Sequence, residues 1–152
     1  MFLKGEKIVS KVMAVCLSKE KGVLKEQVES VLIQENHGIV GDAHAGDWHR
    51  QVSLLGEESI DKMRAKGLTL DYGAFAENIV TKGIELFTLP IGTKLKLGQA
   101  VLGEVTQIGK ECHTGCAIAK QVGSCIMPKE GIFIKILQGG NLKAGDDIEV
   151  IK

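Results

Sequence analysis

Glycine punctuates this chain. Nineteen glycines and only two prolines are spread over 152 residues, and the glycines fall between short apolar runs. Glycine reaches backbone angles that strain other residues, so it collects where a chain reverses direction. Short runs rich in β-branched residues, cut by such breakers, read as strands joined by turns. The first is 8–17 (IVSKVMAVCL), in which Cys16 reads as a core residue. Residues 28–34 (VESVLIQ) alternate apolar and polar and predict a second strand. Further strands are expected at 51–55, 76–81, 94–97 and 100–108, with 92–98 resembling a tight barrel meander. Residues 132–137 and 147–151 look like a terminal strand pair joined through Gly139-Gly140. The loop at 38–46 separates two of these strands. The clearest helix is 57–66 (EESIDKMRAK): acids open it, basic residues close it, and Ile60, Met63 and Arg64 share a face. Gly67 follows as a C-cap. One moderate helix among about eight strands predicts a mainly β fold with few helices (α+β), closed into a β-barrel.

Length and charge narrow the function. A chain of 152 residues fits one domain, 1–152, and buries roughly 68–70% of its unfolded surface without staples. The formal net charge is zero, which argues against a broad nucleic-acid or anionic-membrane footprint. No apolar run approaches the roughly 18 residues of a membrane span. The opening Met1-Phe2-Leu3-Lys4-Gly5-Glu6-Lys7 lacks the apolar core of a signal peptide, so a cytoplasmic location is expected. There, four cysteines act as thiols, ligands or catalysts rather than as structural disulfides.

The most chemically loaded stretch is Lys110-Glu111-Cys112-His113-Thr114-Gly115-Cys116, just past the strand 100–108. A thiol at a strand end is both fixed and exposed, as a nucleophile, sulfur carrier or metal ligand must be. Only the thiolate does such chemistry, and a free cysteine titrates near roughly 8.5. If the strand continues to Lys110, its ammonium and Cys112 share a face. At about 6 Å that charge favours the thiolate by roughly 0.7 kcal/mol in water and about 2.8 kcal/mol at an effective dielectric near 20. The alternative is an ordinary small residue at a strand end, and for Cys116 the two readings weigh equally. Cys125, beside Ser124 and Ile126, reads as packing, and residues 114–122 as a short helix. Cys112, His113 and Cys116 offer three zinc ligands, but a closed site wants four. The order Cys-His-x-x-Cys also differs from the Cys-x-x-Cys-His of haem attachment.

The second dense stretch is the loop 41–51, with His44, Trp48, His49 and Arg50. Glycines break it, so His44 and His49 do not form a helical metalloprotease pair. A loop presenting His44, His49 and Arg50 suits a phosphate or a carboxylate, and Trp48 suits a planar ring. The bland alternative is a surface loop with Trp48 tucked against the barrel. Asn78, in Gly73-Ala-Phe-Ala-Glu77-Asn78-Ile79, can donate to and accept from a ring or amide. Lys129 reads as a solvated turn residue.

Taken together, the pieces resemble the MOSC domain, the module named after the C-terminal part of molybdenum cofactor sulfurase. They are Gly41-Asp42-x-His44, His49-Arg50-Gln51-Val52-Ser53-Leu54, Gly73 to Ile79, Thr106-Gln107 through Cys112-His113, and Glu130-Gly131. The resemblance runs from about Ile8 to Ile151 and is closest to the small bacterial single-domain subtype. It implies a barrel-like fold, a key cysteine at Cys112, and handling of sulfur or of molybdopterin-bound molybdenum. It further implies that Cys112 carries a persulfide or ligates molybdenum, with His44, His49, Arg50, Asn78 and Lys110 toward the cofactor. Its expected partners are molybdopterin, a molybdoenzyme or a molybdopterin-biosynthesis protein, with an external sulfur or electron donor. Neither the pyridoxal-phosphate domain of the larger sulfurases nor the extra barrel domain of amidoxime-type reductases is in this sequence. Where many reductases carry an arginine, this chain has Lys110. Three functions follow in order: a molybdenum-cofactor or sulfur-carrying module, a molybdenum-dependent reductase of N-hydroxylated compounds, and a non-catalytic zinc or redox module. Whether the chain is an enzyme, of sulfurtransferase or oxidoreductase type, stays open at this point.

Overall fold

The computed structural model describes residues 10–21, 23–67, 69–109 and 130–151. Among them are eleven strands and one α-helix: β1 (Ser10–Leu17), β2 (Glu26–Val28), β3 (Ser30–Gln34), β4 (Gly38–Ile39), β5 (Val52–Gly56), α1 (Glu57–Arg64), β6 (Ile79–Lys82), β7 (Lys94–Leu97), β8 (Val101–Ile108), β9 (Ile132–Gln138), β10 (Gly140–Lys143) and β11 (Asp147–Ile151). The largest sheet runs β11-β7-β8-β9-β5-β6-β1, and β11 also pairs with β1, so seven strands close into a barrel. The expected mainly β barrel is therefore the fold. Closure leaves no open edge along this ring. All its neighbours are antiparallel except β5 and β6, which run parallel and are joined through α1. A parallel pair needs such a crossover.

The strands bury both faces, and alternate residues go to different cores. Leu54, Ile79, Ile132 and Ile134 join the barrel interior with Val12, Leu95, Leu97, Val105 and Ile148. Their neighbours Leu55, Val80 and Phe133 lie outside, packed with Ile60 and Met63 of α1 and with Phe75. Burying both faces is why all five residues of β5 are buried, rather than every second one.

Several boundaries differ from the sequence reading. The strand expected over 28–34 is two strands, β2 and β3, parted at Glu29. Residues 38–39, expected as loop, make a short pair with β3. Residues 76–78 are not strand: Ala76 has φ 61, and its N–H closes a turn to the Gly73 carbonyl at 3.0 Å. The helix ends earlier, at Arg64 with Ala65 as cap, while Gly67 takes φ 90. The expected pairing of 132–137 with 147–151 is absent. β9 pairs with β5 and β8, whereas β11 pairs with β1 and β7. Between them β10 leaves the barrel to join β3 and β4 in a second sheet. Gly139 makes this crossing possible, because a Cβ there would overlap the Ile33 carbonyl oxygen. The short helix expected at 114–122 lies outside the described residues.

Candidate functional site

The loop after β4 spans the ends of β1 and β8, and buried polar contacts fix its near end. Asp42, 7% exposed, accepts from the Ser18 N–H at 3.1 Å and, through its other oxygen, from the His44 N–H at 3.0 Å. The second contact is an Asx turn, which lets aspartate shape the chain two residues on. Between these groups lies Lys25. Its Nζ donates to Asp42 Oδ1 at 2.7 Å and to Ser18 Oγ at 3.2 Å, and lies 3.2 Å from His44 Nδ1. Both charged side chains are 0% exposed. The Trp48 indole N–H donates to the His44 carbonyl at 2.7 Å, closing the turn.

Stacking and a bulge set the far end. The Arg50 guanidinium lies 5.2 Å from the Trp48 ring and 5.7 Å from the Phe133 ring. Lys21 approaches the Trp48 ring at 5.6 Å. Cations over ring faces are attracted by the quadrupole, which leaves their N–H edges for other acceptors. Arg50 Nε is buried and has no hydrogen-bond partner among the described residues. Register shifts between Val105 and Gln107 where β8 meets β9, making Thr106 an extra residue. Its hydroxyl donates to the His49 carbonyl and lies 3.2 Å from that of Phe133. Bulges of this kind re-aim the next side chain. Gln107 accordingly places Oε1 3.0 Å from His49 Nε2 and donates to the Gly109 carbonyl at 2.7 Å. The Gly109 N–H then bonds the Gly131 carbonyl at 2.6 Å.

The expected site residues therefore divide. His44, His49 and Arg50 come together on one loop across the barrel end. Asn78 sits inside the wall, 0% exposed. Its side-chain oxygen accepts from the Ser53 N–H at 3.0 Å, and its amide donates to the Cys16 carbonyl at 3.1 Å. It thus ties β1 to β5. Cys112, Lys110, His113, Cys116 and Cys125 lie outside the described residues, as does Lys129. Among the described residues no cluster of three or more His, Cys, Asp or Glu is arranged to hold a metal. Cys16 is buried, as expected. Its thiol is pushed up to about 12, first by burial and then by the Glu77 charge, with Lys25 opposing.

Lys25, Ser18, Lys21 and Phe133 were not expected at the site. Lys25 follows Leu24 in a charged run and carries no motif that sets it apart from a solvated lysine. Glu77 is 0% exposed and accepts from the Gly73 and Phe75 N–H groups at 2.8 and 2.9 Å. Burial raises its carboxyl above the ordinary range, against the pull of those bonds and of Lys25. Gly73, at φ 91, accepts a hydrogen bond at its carbonyl from the Lys25 N–H, and a Cβ there would overlap the Lys25 carbonyl oxygen. Glycine at 73 is what lets this turn lie against Lys25.

A family model described as the MOSC domain matches residues 41–149, which is most of the chain. The chain belongs to the MOSC domain family. MOSC is associated with the molybdenum cofactor. A curated relative named reductase, from Gibberella moniliformis (strain M3125 / FGSC 7600), is 26% identical over 154 residues. That match covers 88% of this chain and 28% of the relative, so the chain spans under a third of that protein's length. Among solved structures, the YuaD protein of Bacillus subtilis superposes with a TM-score of 0.79 at 17% identity, covering 93% of this chain and 95% of that one. YiiM from Geobacillus stearothermophilus gives 0.70 at 19% identity, over 94% and 75%. These two likenesses show a shared MOSC fold. No helix among the described residues is long and apolar enough to cross a membrane.

Proposed function

We propose that the loop from His44 to Arg50 forms the anion-binding wall of a molybdenum-cofactor site, in which Cys112 carries sulfur as a persulfide or ligates molybdenum. The observation that carries this reading is Arg50. Its guanidinium is held by the faces of Trp48 and Phe133, while its buried Nε lacks a partner among the described residues. A buried donor left unmatched costs about 1–3 kcal/mol, which a phosphate oxygen would recover. Donors and positive charge are the set a pterin phosphate requires, so these residues fit the group. His44, His49 and Arg50 would hold and orient it, and Lys110 would add charge. When bound, the cofactor would supply the redox-active metal.

Chain connectivity supports the place of the thiol. Cys112 follows Gly109 by three residues, a reach of about 10 Å. Gly109 is itself tied through Gln107 to His49. The sulfur or its acceptor would come from an external donor or a molybdoenzyme partner. Intact-protein mass spectrometry with elemental and pterin analysis, on protein from molybdenum-replete cells, tests this. Added sulfur or bound molybdenum, lost in Cys112→Ala, is the expected result. Equal sulfur, molybdenum and pterin in both proteins would refute it.

The relative named reductase favours a second reading, a molybdenum-dependent reductase of N-hydroxylated compounds with Cys112 as metal ligand. Reduction of a hydroxylaminopurine by cofactor-loaded protein with an external electron donor tests it. No turnover above the Cys112→Ala background would exclude it.

A further inference from the structure

We propose that Lys25 is a positioning residue whose ammonium holds His44 as the Nε2–H tautomer, so that His44 enters the site as a hydrogen-bond donor to an anionic oxygen. The argument counts protons. A charged lysine has three N–H groups and accepts none. Among the described residues Lys25 Nζ has three neighbours at bonding distance: Asp42 Oδ1 at 2.7 Å, Ser18 Oγ at 3.2 Å and His44 Nδ1 at 3.2 Å. The Ser18 hydroxyl donates its own proton to the Glu20 carbonyl at 2.9 Å, so toward Lys25 it can only accept. Asp42 is a carboxylate and also accepts. The third ammonium proton therefore points at His44 Nδ1, which must be bare. In a neutral ring the remaining proton then sits on Nε2.

The alternative is a neutral Lys25 accepting from His44 Nδ1–H. It would leave the Asp42 carboxylate, 0% exposed, without its ammonium partner. A buried charge stripped of its counterion is the least favourable outcome available there. The His44 backbone is fixed on both sides. His44 is held by its N–H to Asp42 Oδ2 and by its carbonyl to the Trp48 indole.

The consequence is chemical. The Nδ1 lone pair of His44 faces the Lys25 ammonium. The ring presents instead an N–H donor, on the same loop as the Arg50 charge. The class of ligand this serves is one bearing acceptor oxygens, such as a phosphate ester or pyrophosphate. The tautomer stands on the geometry of Lys25 alone, whereas the donor's use rests on the anion-site reading proposed above.

Long-range proton–nitrogen spectra of the full 15N-labelled chain at about pH 8, above the ordinary imidazole value of roughly 6.5, report each ring's tautomer. His44 is expected to show a protonated Nε2 and a bare Nδ1. A protonated Nδ1 would overturn the proposal. In Lys25→Met the freed Asp42 carboxylate, whose Oδ2 lies 3.9 Å from Nδ1, should draw the ring toward Nδ1–H. A folded variant that keeps the single Nε2–H form would show that Lys25 does not set the tautomer. If that variant does not fold, the wild-type spectrum still decides. Adding inorganic pyrophosphate should shift the His44 Nε2–H signal. An unmoved signal on an Nε2–H ring would overturn the donor role and the anion site together, while the tautomer assignment stands.

Discussion

Replacing Lys25 by methionine tests whether the loop is held by charge. Methionine keeps the length of the side chain and removes its ammonium. The pair lies at 2.7 Å with both side chains 0% exposed. At an effective dielectric near 20 the attraction at that distance is about 6 kcal/mol. Most of it offsets the desolvation of the two ions, so it is not the net contribution. Removing one partner is a different matter, since it strands the other charge and costs about 3–5 kcal/mol. Asp42 would still accept from the Ser18 and His44 N–H groups, which places the expected loss near the lower end, about 3 kcal/mol. With a urea slope of about 2 kcal/mol per molar, the midpoint falls by about 1.5 M. A domain with a stability of about 5–15 kcal/mol survives this at room temperature. Adding Asp42→Asn to Lys25→Met removes the stranded charge, so the double variant should lose less than the two single losses added. A drop below about 1 kcal/mol in Lys25→Met would refute the reasoning. So would simple additivity in the double variant.

Two further outcomes follow from the groups around this pair. Glu77 has its folded value raised by burial, so its contribution to stability is fully present below about pH 4.3 and is lost as pH rises through the folded value. In urea melts stepped from acid to neutral pH, the advantage of wild type over Glu77→Gln should therefore shrink, and a constant difference would contradict it. Cys16, with its thiol near 12, should stay unmodified by iodoacetamide in the native protein at about pH 8 and react once urea unfolds the chain. Peptide mapping that finds Cys16 alkylated in native protein would reverse the assignment.

Much of the barrel was legible because it depends on local pattern. β7, as Lys94–Leu97, coincides with its expected range, since alternation and flanking glycines both mark it. α1 was legible from its acids, bases and apolar face, and Ser59, Ile60 and Met63 are the residues it buries. Pairing was less legible, because partners are chosen by distant geometry. β9 and β11 are close in sequence, yet the crossing at Gly139 inserts β10 between them. The breaks at Glu29 and Ala76 also went unseen: neither residue is a glycine or proline, yet Ala76 takes φ 61 and its N–H bonds back to the Gly73 carbonyl. At the site, His44, His49 and Arg50 stood out because glycines isolate a loop dense in donors. Lys25 did not, because a lysine is read as solvated until its carboxylate is known, and Asp42 lies seventeen positions away.

The loop solves two problems with two kinds of contact. His44 is positioned by polar bonds in which each donor has a named acceptor: its own N–H to Asp42, the Trp48 indole to its carbonyl, and Lys25 to its ring. Such matching fixes direction, because hydrogen bonds weaken steeply off axis. Arg50 is positioned by ring faces, Trp48 on one contact and Phe133 on the other. Attraction to ring faces holds the cation in place without using its N–H groups, which in the proposed site would be left for a ligand. If the two had been exchanged, with Arg50 in the ion pair and His44 stacked, the site would have used its charge on Asp42. In the proposed anion site, placing the lysine under the loop and the arginine on it would keep the neutralised cation for structure and the other for recognition. Ordering both residues before a ligand arrives also lowers the entropy lost on binding, by about 0.5–1.5 kcal/mol for each side chain already held.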